Sequence, residues 1–198
     1  MVKSIKINKY FVTLLLINVL ISVITKSYKE KVMKIAIIGY SGSGKSTLAQ
    51  RLGKKYNANV LHLDTVHWLP GWQERNVQEE KEIVKDFLDS NSSWVIDGNY
   101  GKVLYDRRME EADKIIFMNF NRFACLYRAF KRYFRYTGKS RASMTEGCSE
   151  KIDLEFVRWI LYKGRDKKHK KRYNGVLSKY PNKTVVISNQ RQLSGFEL

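Results

Sequence analysis

The stretch that most constrains this chain runs from Lys34 to Thr47. An unbroken apolar run, Ile35-Ala36-Ile37-Ile38, enters a glycine-rich turn, Gly39-Tyr40-Ser41-Gly42-Ser43-Gly44-Lys45-Ser46, and then a helical pattern. Apolar residues without alternation read as a strand buried on both faces, and Leu48, Leu52 and Tyr56 then recur on one helical face. The turn fits G-x-x-x-x-G-K-[ST], whose backbone N–H groups converge on phosphate oxygens. In that frame Gly39, Ser41, Gly42, Ser43, Gly44 and Thr47 are candidate nucleotide contacts, Lys45 reaches the β/γ-phosphates, and the Ser46 hydroxyl is a candidate Mg²⁺ ligand. The positive end of the following helix faces the same anion. The expected cofactors are ATP and Mg²⁺.

Further along, short apolar runs alternate with helical patterns. Asn59–Leu63 reads as a second strand ending at Asp64, followed by an aromatic loop, Thr65-Val66-His67-Trp68-Leu69-Pro70-Gly71-Trp72. Asn76 and Glu79 form a capping-box-like start for a helix to about Ser90, with Ile83, Val84, Phe87 and Leu88 on its buried face. Trp94–Asp97 is a third strand, 101–111 a helix, Lys114–Met118 a fourth strand, and Asn121 to about Thr137 a basic, aromatic helix. A loop to about Ser149, a helical stretch over 153–179 broken near Gly164, and a fifth strand at Thr184–Ile187 complete the chain. Strands alternating with helices imply an α/β fold, a parallel sheet covered on both faces.

Length argues for one domain, and 43% hydrophobic residues among 198 supply a full core. A formal charge of +18 points to an anionic partner: nucleotide, nucleic acid or membrane surface. The two cysteines, Cys125 and Cys148, show neither metal spacing nor a disulfide framework and read as reduced thiols, in keeping with a cytoplasmic protein. Residues 1–32 stand apart. Lysines precede an apolar run, 11–24, shorter than the roughly 20 residues of a spanning helix. We read them as an upstream read-through preceding a start at Met33, with a membrane-associated tail as the alternative, and place the domain at 33–198.

Carboxylates at strand ends face the crevice where open α/β sheets bind ligands. Asp97 is therefore the candidate metal carboxylate, and Asp64 a candidate for the metal or a substrate hydroxyl. His67, Trp68 and Trp72 could line a substrate pocket or form local core. The three histidines have no metal-ligand spacing. Between 121 and 145 lie Arg122, Arg128, Lys131, Arg132, Arg135, Lys139 and Arg141 without an acid, and a second basic cluster spans Lys163–Arg172. Fixed cations of this kind stabilise a migrating phosphoryl group; the other reading is a solvated face or a nucleic-acid footprint.

Gly39–Ser46, the run Leu63-Asp64-Thr65-Val66-His67-Trp68-Leu69-Pro70-Gly71-Trp72, Trp94-Val95-Ile96-Asp97-Gly98-Asn99-Tyr100 and Cys125-Leu126-Tyr127-Arg128 together resemble the bacterial topology modulation proteins, in the adenylate-kinase-like branch of P-loop proteins. The resemblance implies a five-stranded parallel sheet, a substrate region after strand two, which would include Tyr100, and a lid at about 138–152. It also implies arginines entering the lid (Arg128, Arg132) and leaving it (Arg158, Arg165), with Asn189 and Gln190 beside the adenine. One departure is plain. Adenylate kinases follow Asp-Gly with an aromatic residue, Pro and Arg, whereas here Asn99-Tyr100 follows and the nearest arginines are Arg107 and Arg108. The expected activity is transfer of the ATP γ-phosphoryl group to a nucleotide, nucleoside or other small acceptor. The alternative is a nucleic-acid-binding or regulatory ATPase, although no nucleic-acid module is visible.

Overall fold

The computed structural model describes residues 17–18, 32–136 and 143–198. The reading of residues 1–32 as read-through or tail therefore falls almost wholly outside the described residues, as do Lys139, Arg141 and the first part of the expected lid. Two units divide the chain, Met1–Lys31 and Val32–Leu198. Of the first, Ile17 and Asn18 are described, and both are helical. Among the described residues no helix is long and apolar enough to cross a membrane.

In the second unit, strands β1 (Lys34–Gly39), β2 (Asn59–His62), β5 (Trp94–Asp97), β6 (Lys114–Met118) and β7 (Thr184–Ile187) form one sheet of order β2-β5-β1-β6-β7. Every pairing in it is parallel. The three inner strands are apolar apart from Lys34, Asp97 and Lys114 at their ends because helices cover both faces, and Ile35, Ile37, Trp94, Val95, Ile115 and Ile116 are fully buried. The outer strands carry exposed positions, such as Val186 on β7. The chain leaves β1 for one side of the sheet and later crosses to the other, so the crevice at the carboxyl ends of β1 and β5 is the topological switch point.

Helix α1 (Lys45–Tyr56) follows the glycine-rich turn and buries Leu48, Ala49 and Leu52 against the sheet. Strand β2 is shorter than expected: it ends at His62, and Leu63–His67 is a short helix, α2, which puts Asp64 in a first helical turn. The expected loop is a hairpin, β3 (Trp68–Leu69) and β4 (Gln73–Glu74), around a 3₁₀ turn at Pro70–Trp72. Gly71 there has φ of +76°, which only a glycine adopts without strain. Arg75 closes the hairpin base, donating its Nε to the Val66 carbonyl and its amide to the His67 carbonyl.

Helix α3 (Val77–Ser90) is capped by Asn76, whose side chain accepts from the Gln78 amide, one residue earlier than a capping box requires. Val84 and Leu88 are buried as expected, but Ile83 is exposed, and the buried first-turn position belongs to Glu80. Helix α4 starts at Tyr105, not 101, because Leu104 takes a left-handed conformation and residues 98–104 form a loop. Helix α5 (Arg122–Tyr136) is followed after the lid region by α6 (Leu154–Leu161), a 3₁₀ turn at Lys163–Arg165, and α7 (Lys167–Lys179), so the break near Gly164 is real. Gln190–Ser194, expected as a polar tail, forms helix α8 with Asn189 as its cap.

Candidate functional site

The turn after β1 closes on itself by backbone contacts. Ser43 N–H donates to the Tyr40 carbonyl at 3.2 Å, and the half-buried Lys45 ammonium donates to the Gly39 and Tyr40 carbonyls at 3.0 and 3.1 Å. Two of its glycines are forced by proximity: a Cβ on Gly39 would strike the Met118 carbonyl, and one on Gly42 the Cys125 carbonyl. Asn99 clamps the first glycine from across the sheet, its Oδ1 accepting from Gly39 N–H at 3.0 Å and its Nδ2 donating to the Gly39 carbonyl at 2.7 Å. Burial holds the Lys45 pKa below that of an ordinary lysine, opposed by the nearby carboxylates of Asp64 and Asp97.

Parallel register sets His62 on β2 beside Asp97 on β5. The buried Asp97 carboxylate accepts from the Ser46 hydroxyl at 2.8 Å through Oδ2, and its Oδ1 is hydrogen-bonded to His62 Nδ1. A hydroxyl and an oriented carboxylate at the end of the phosphate loop are an all-oxygen donor pair of the kind Mg²⁺ takes, and they fit that ion. The expected pair, Ser46 and Asp97, is thus brought together, with His62 added as its orienting partner.

A cleft of about 1570 Å³ opens over this loop. Ser41, Gly42, Gly44, Lys45, Ser46 and Thr47 line it, whereas Gly39 and the fully buried Ser43 lie behind the lining. Asn189 and Gln190 line one end, with Arg51. Arg128 bridges that end to the loop: Nη1 donates to the Ser43 carbonyl at 2.6 Å, Nη2 to the Gln190 side chain, and the guanidinium stacks 4.0 Å from the Phe120 ring. Arg132 also lines the cleft and donates to Glu150 Oε2 at 3.0 Å. Arg165, expected beside them, is turned away. Its guanidinium donates to the Ile160 and Phe120 carbonyls at 3.0 and 2.8 Å and lies 3.6 Å from the Tyr40 ring, outside the residues that line the cleft. Arg158 is exposed and likewise outside the lining.

At the other end stand Asp64, His67, Trp68, Trp72 and Tyr100, all lining the cleft. Tyr100 Oη donates to Asp64 Oδ1 at 2.8 Å, and burial beside that carboxylate pushes the phenol pKa far up, keeping it a donor. The His67 ring stands 4.7 Å from Tyr100 and 4.6 Å from Trp68, and Trp68 meets Trp72 edge-on at 5.4 Å. Beneath, His67 Nδ1 contacts the buried Glu80 carboxylate at 2.7 Å. Residues 143–152, the described part of the expected lid, lean on this end: Thr145 Oγ1 donates to the Trp68 carbonyl at 2.5 Å, and the Lys151 ammonium sits 5.3 Å from the Trp72 ring.

Neither of the arginines nearest in sequence reaches the cleft. Arg107 pairs with Asp89 and Glu111 at 2.5 and 2.6 Å. Arg108, wholly buried, donates to the Val103, Gly98 and Tyr100 carbonyls, and desolvation pushes its pKa down to about 10. It fastens the loop that carries Asn99 and Tyr100.

A family model described as AAA domain matches residues 35–142, more than half of the chain. The chain belongs to that family. The matched span runs from the first strand through the phosphate loop, Asp64 and the hairpin, and past the end of α5. Among solved structures, shikimate kinase from Acinetobacter baumannii in complex with shikimate superposes with a TM-score of 0.51 at 13% identity, over 81% of this chain and 86% of that one. Deoxyadenosine kinase from M. mycoides with bound dATP gives 0.42 at 15% identity, over 78% and 90%. A gluconokinase from Sinorhizobium meliloti gives 0.43 at 17%, over 79% and 82%. The first of these likenesses shows the fold, an α/β fold with a five-stranded parallel sheet as in that kinase. No curated protein matches the sequence.

The residues whose partners sequence reasoning did not give are His62, Asn99, Glu80, Arg108 and Arg172. Arg172 lines the cleft from α7, and a Cβ on Gly101 would come within 2.7 Å of its guanidinium. His62 carried one legible signal, a polar residue at the inner end of an apolar strand; the others depend on contacts between distant segments.

Proposed function

We propose that this protein, whose motifs resemble those of the topology modulation proteins, is an ATP- and Mg²⁺-dependent kinase acting on the hydroxyl of a small acceptor with a planar ring, a nucleoside being the simplest case. The observation that carries this reading is the Asp64 carboxylate, held by Tyr100 at the mouth of an aromatic box and close enough to Lys45 to oppose the fall of its pKa. A carboxylate so placed can accept a hydroxyl proton as that oxygen attacks the γ-phosphorus. The new O–P bond forms as the bond to the β–γ bridging oxygen breaks, ADP leaves, and the proton rests on Asp64. Lys45 and the loop amides hold the phosphates, and Arg128 and Arg132 neutralise the charge that builds on the transferring group. Ser46 and Asp97 would hold Mg²⁺, which supplies further neutralisation of the β- and γ-oxygens. Trp68, Trp72 and His67 would sandwich the acceptor ring, and Asn189 and Gln190 would flank the adenine. The acceptor end, with Asp64 and Glu74 lining it against one lysine, Lys151, and with Arg107 and Arg108 engaged elsewhere, favours a neutral hydroxyl over a phosphate monoester.

The test is ATP turnover against nucleosides, nucleoside monophosphates and polyols, with an ATP-only control, repeated on Asp64→Asn. We expect nucleoside-dependent ADP formation that falls about 10²–10⁴-fold in the variant, with ATP affinity kept. Turnover that survives Asp64→Asn, or ATP hydrolysis stimulated only by DNA, would reject the reading.

A further inference from the structure

Val84 and Leu88 form the buried stripe of α3, and one turn before them the same stripe is occupied by Glu80, only 2% exposed. A carboxylate in an apolar stripe destabilises the fold unless something pairs with it. The partner here is His67 Nδ1, at 2.7 Å. Because a carboxylate can only accept, the pair fixes a proton on Nδ1 and leaves Nε2 of the neutral ring with its lone pair. His67 lines the cleft, and its Nε2 lies 3.9 Å from Oε1 of Glu74, a second lining residue whose side chain is 70% exposed. Two acceptors at that separation repel an oxygen lone pair placed between them and can share the hydrogens of one amino group. Three donors close by are committed elsewhere: Tyr100 Oη to Asp64, Arg75 Nε to the Val66 carbonyl, and the Lys151 ammonium to Asp153 at 3.6 Å.

We infer that Glu80 is a positioning residue for acceptor choice: by fixing the Nδ1 proton of His67 it makes Nε2, together with Glu74, a reader of an amino group on the acceptor ring. The inference deepens the kinase reading and rests on it for taking this end of the cleft as the acceptor site. There Asp64 meets the hydroxyl to be phosphorylated and the indoles of Trp68 and Trp72 take the face of the ring, so an edge of the ring is what His67 and Glu74 read. The acceptor class that fits is a nucleoside whose base carries an exocyclic amine. The class refused is its oxo counterpart, whose carbonyl sets a lone pair against two acceptors. A site built to bond a donor rejects the analogue that lacks it far more strongly than an apolar pocket rejects a small change of shape. Glu80 touches no acceptor atom in this arrangement; it acts through His67, which is why it can be buried.

Titration calorimetry of the full chain, with a non-hydrolysable ATP analogue filling the phosphate end, compares adenosine with inosine and cytidine with uridine, and ADP formation from ATP is measured on the same nucleosides. We expect the amino member of each pair to bind about 10–100-fold more tightly and to show a KM lower by the same factor. In Glu80→Gln the amide donates as well as accepts, so the His67 proton can move to Nε2. The preference should then fall to about threefold or less, with KM rising for the amino nucleoside, falling for the oxo one, and kcat little changed. A merely loosened fold would raise both KM values together. Glu74→Ala, at an exposed site, should lower the preference about 3–10-fold with the melting temperature unchanged, and it keeps the inference open to refutation if Glu80→Gln does not fold. Equal binding of both members of each pair, a preference untouched by the variants, or no binding of any of these nucleosides would overturn the inference. The kinase reading is judged separately: ADP formation without preference keeps it and rejects this inference, and selective binding without ADP formation does the reverse.

Discussion

The two ends of the cleft are built in different ways. At the phosphate end, the loop is shaped largely by near neighbours: Gly39, Tyr40, Ser43 and Lys45 bond among themselves and α1 starts immediately after, with Asn99 and Arg128 adding contacts from distant segments. At the acceptor end, Asp64 and His67 come from α2, Trp68 and Trp72 from the hairpin, Tyr100 from the loop after β5, and Thr145 and Lys151 from beyond α5. A locally closed loop keeps its shape when one distant contact is lost. An assembled pocket does not, and it can be retuned by substitutions in any of its contributors.

The sharpest contrast should come from Lys45→Ala. Losing the one ammonium in a cradle of neutral amides should weaken ATP binding about 10²–10³-fold by calorimetry, with the melting temperature little changed and the acceptor end intact. Wild-type ATP affinity in this variant would remove the phosphate loop from the site.

Arg108→Met asks whether the acceptor end depends on remote packing. Three backbone carbonyls lose their buried donor, and we expect a loss of about 3 kcal/mol and a fall of roughly 6–12 °C in melting temperature. Acceptor KM should rise more than the Kd of ATP, since Tyr100 sits on the loosened loop. Equal changes in both would show that the two ends are mechanically one.

Trp72→Ala is milder. Removing one face of the aromatic box should raise acceptor KM about 10-fold while leaving ATP affinity alone, as expected for a stacking contact of 1–2 kcal/mol. An acceptor KM that does not move would place the ring in the local core instead.

The smallest effect is with pH. Burial lowers the Lys45 pKa from its usual 10.5, so the proton that ATP requires leaves this lysine at a lower pH than it would an exposed one. ATP affinity should therefore decline as pH rises toward 10.5, by at most about tenfold per unit, and the decline should vanish in Lys45→Ala.

Much of this was legible in the chain itself. The phosphate loop, Ser46 and Asp97, the five strands and the break near Gly164 all follow from local signals: glycine spacing, apolar runs without alternation, and a carboxylate at a strand end. What composition and spacing could not convey was partnership. Arg165 reads in the sequence as one more basic residue near the lid, yet the Phe120 and Ile160 carbonyls and the Tyr40 ring hold its guanidinium behind the cleft. His62 stands out in the sequence only as a polar residue in an apolar strand, and parallel register is what sets it against Asp97. A motif is decided by neighbours along the chain, because backbone geometry acts over a few residues. The direction of a long polar side chain is decided by whichever buried carbonyl or carboxylate most needs a donor, and only the packed sheet and its helices bring that group within reach.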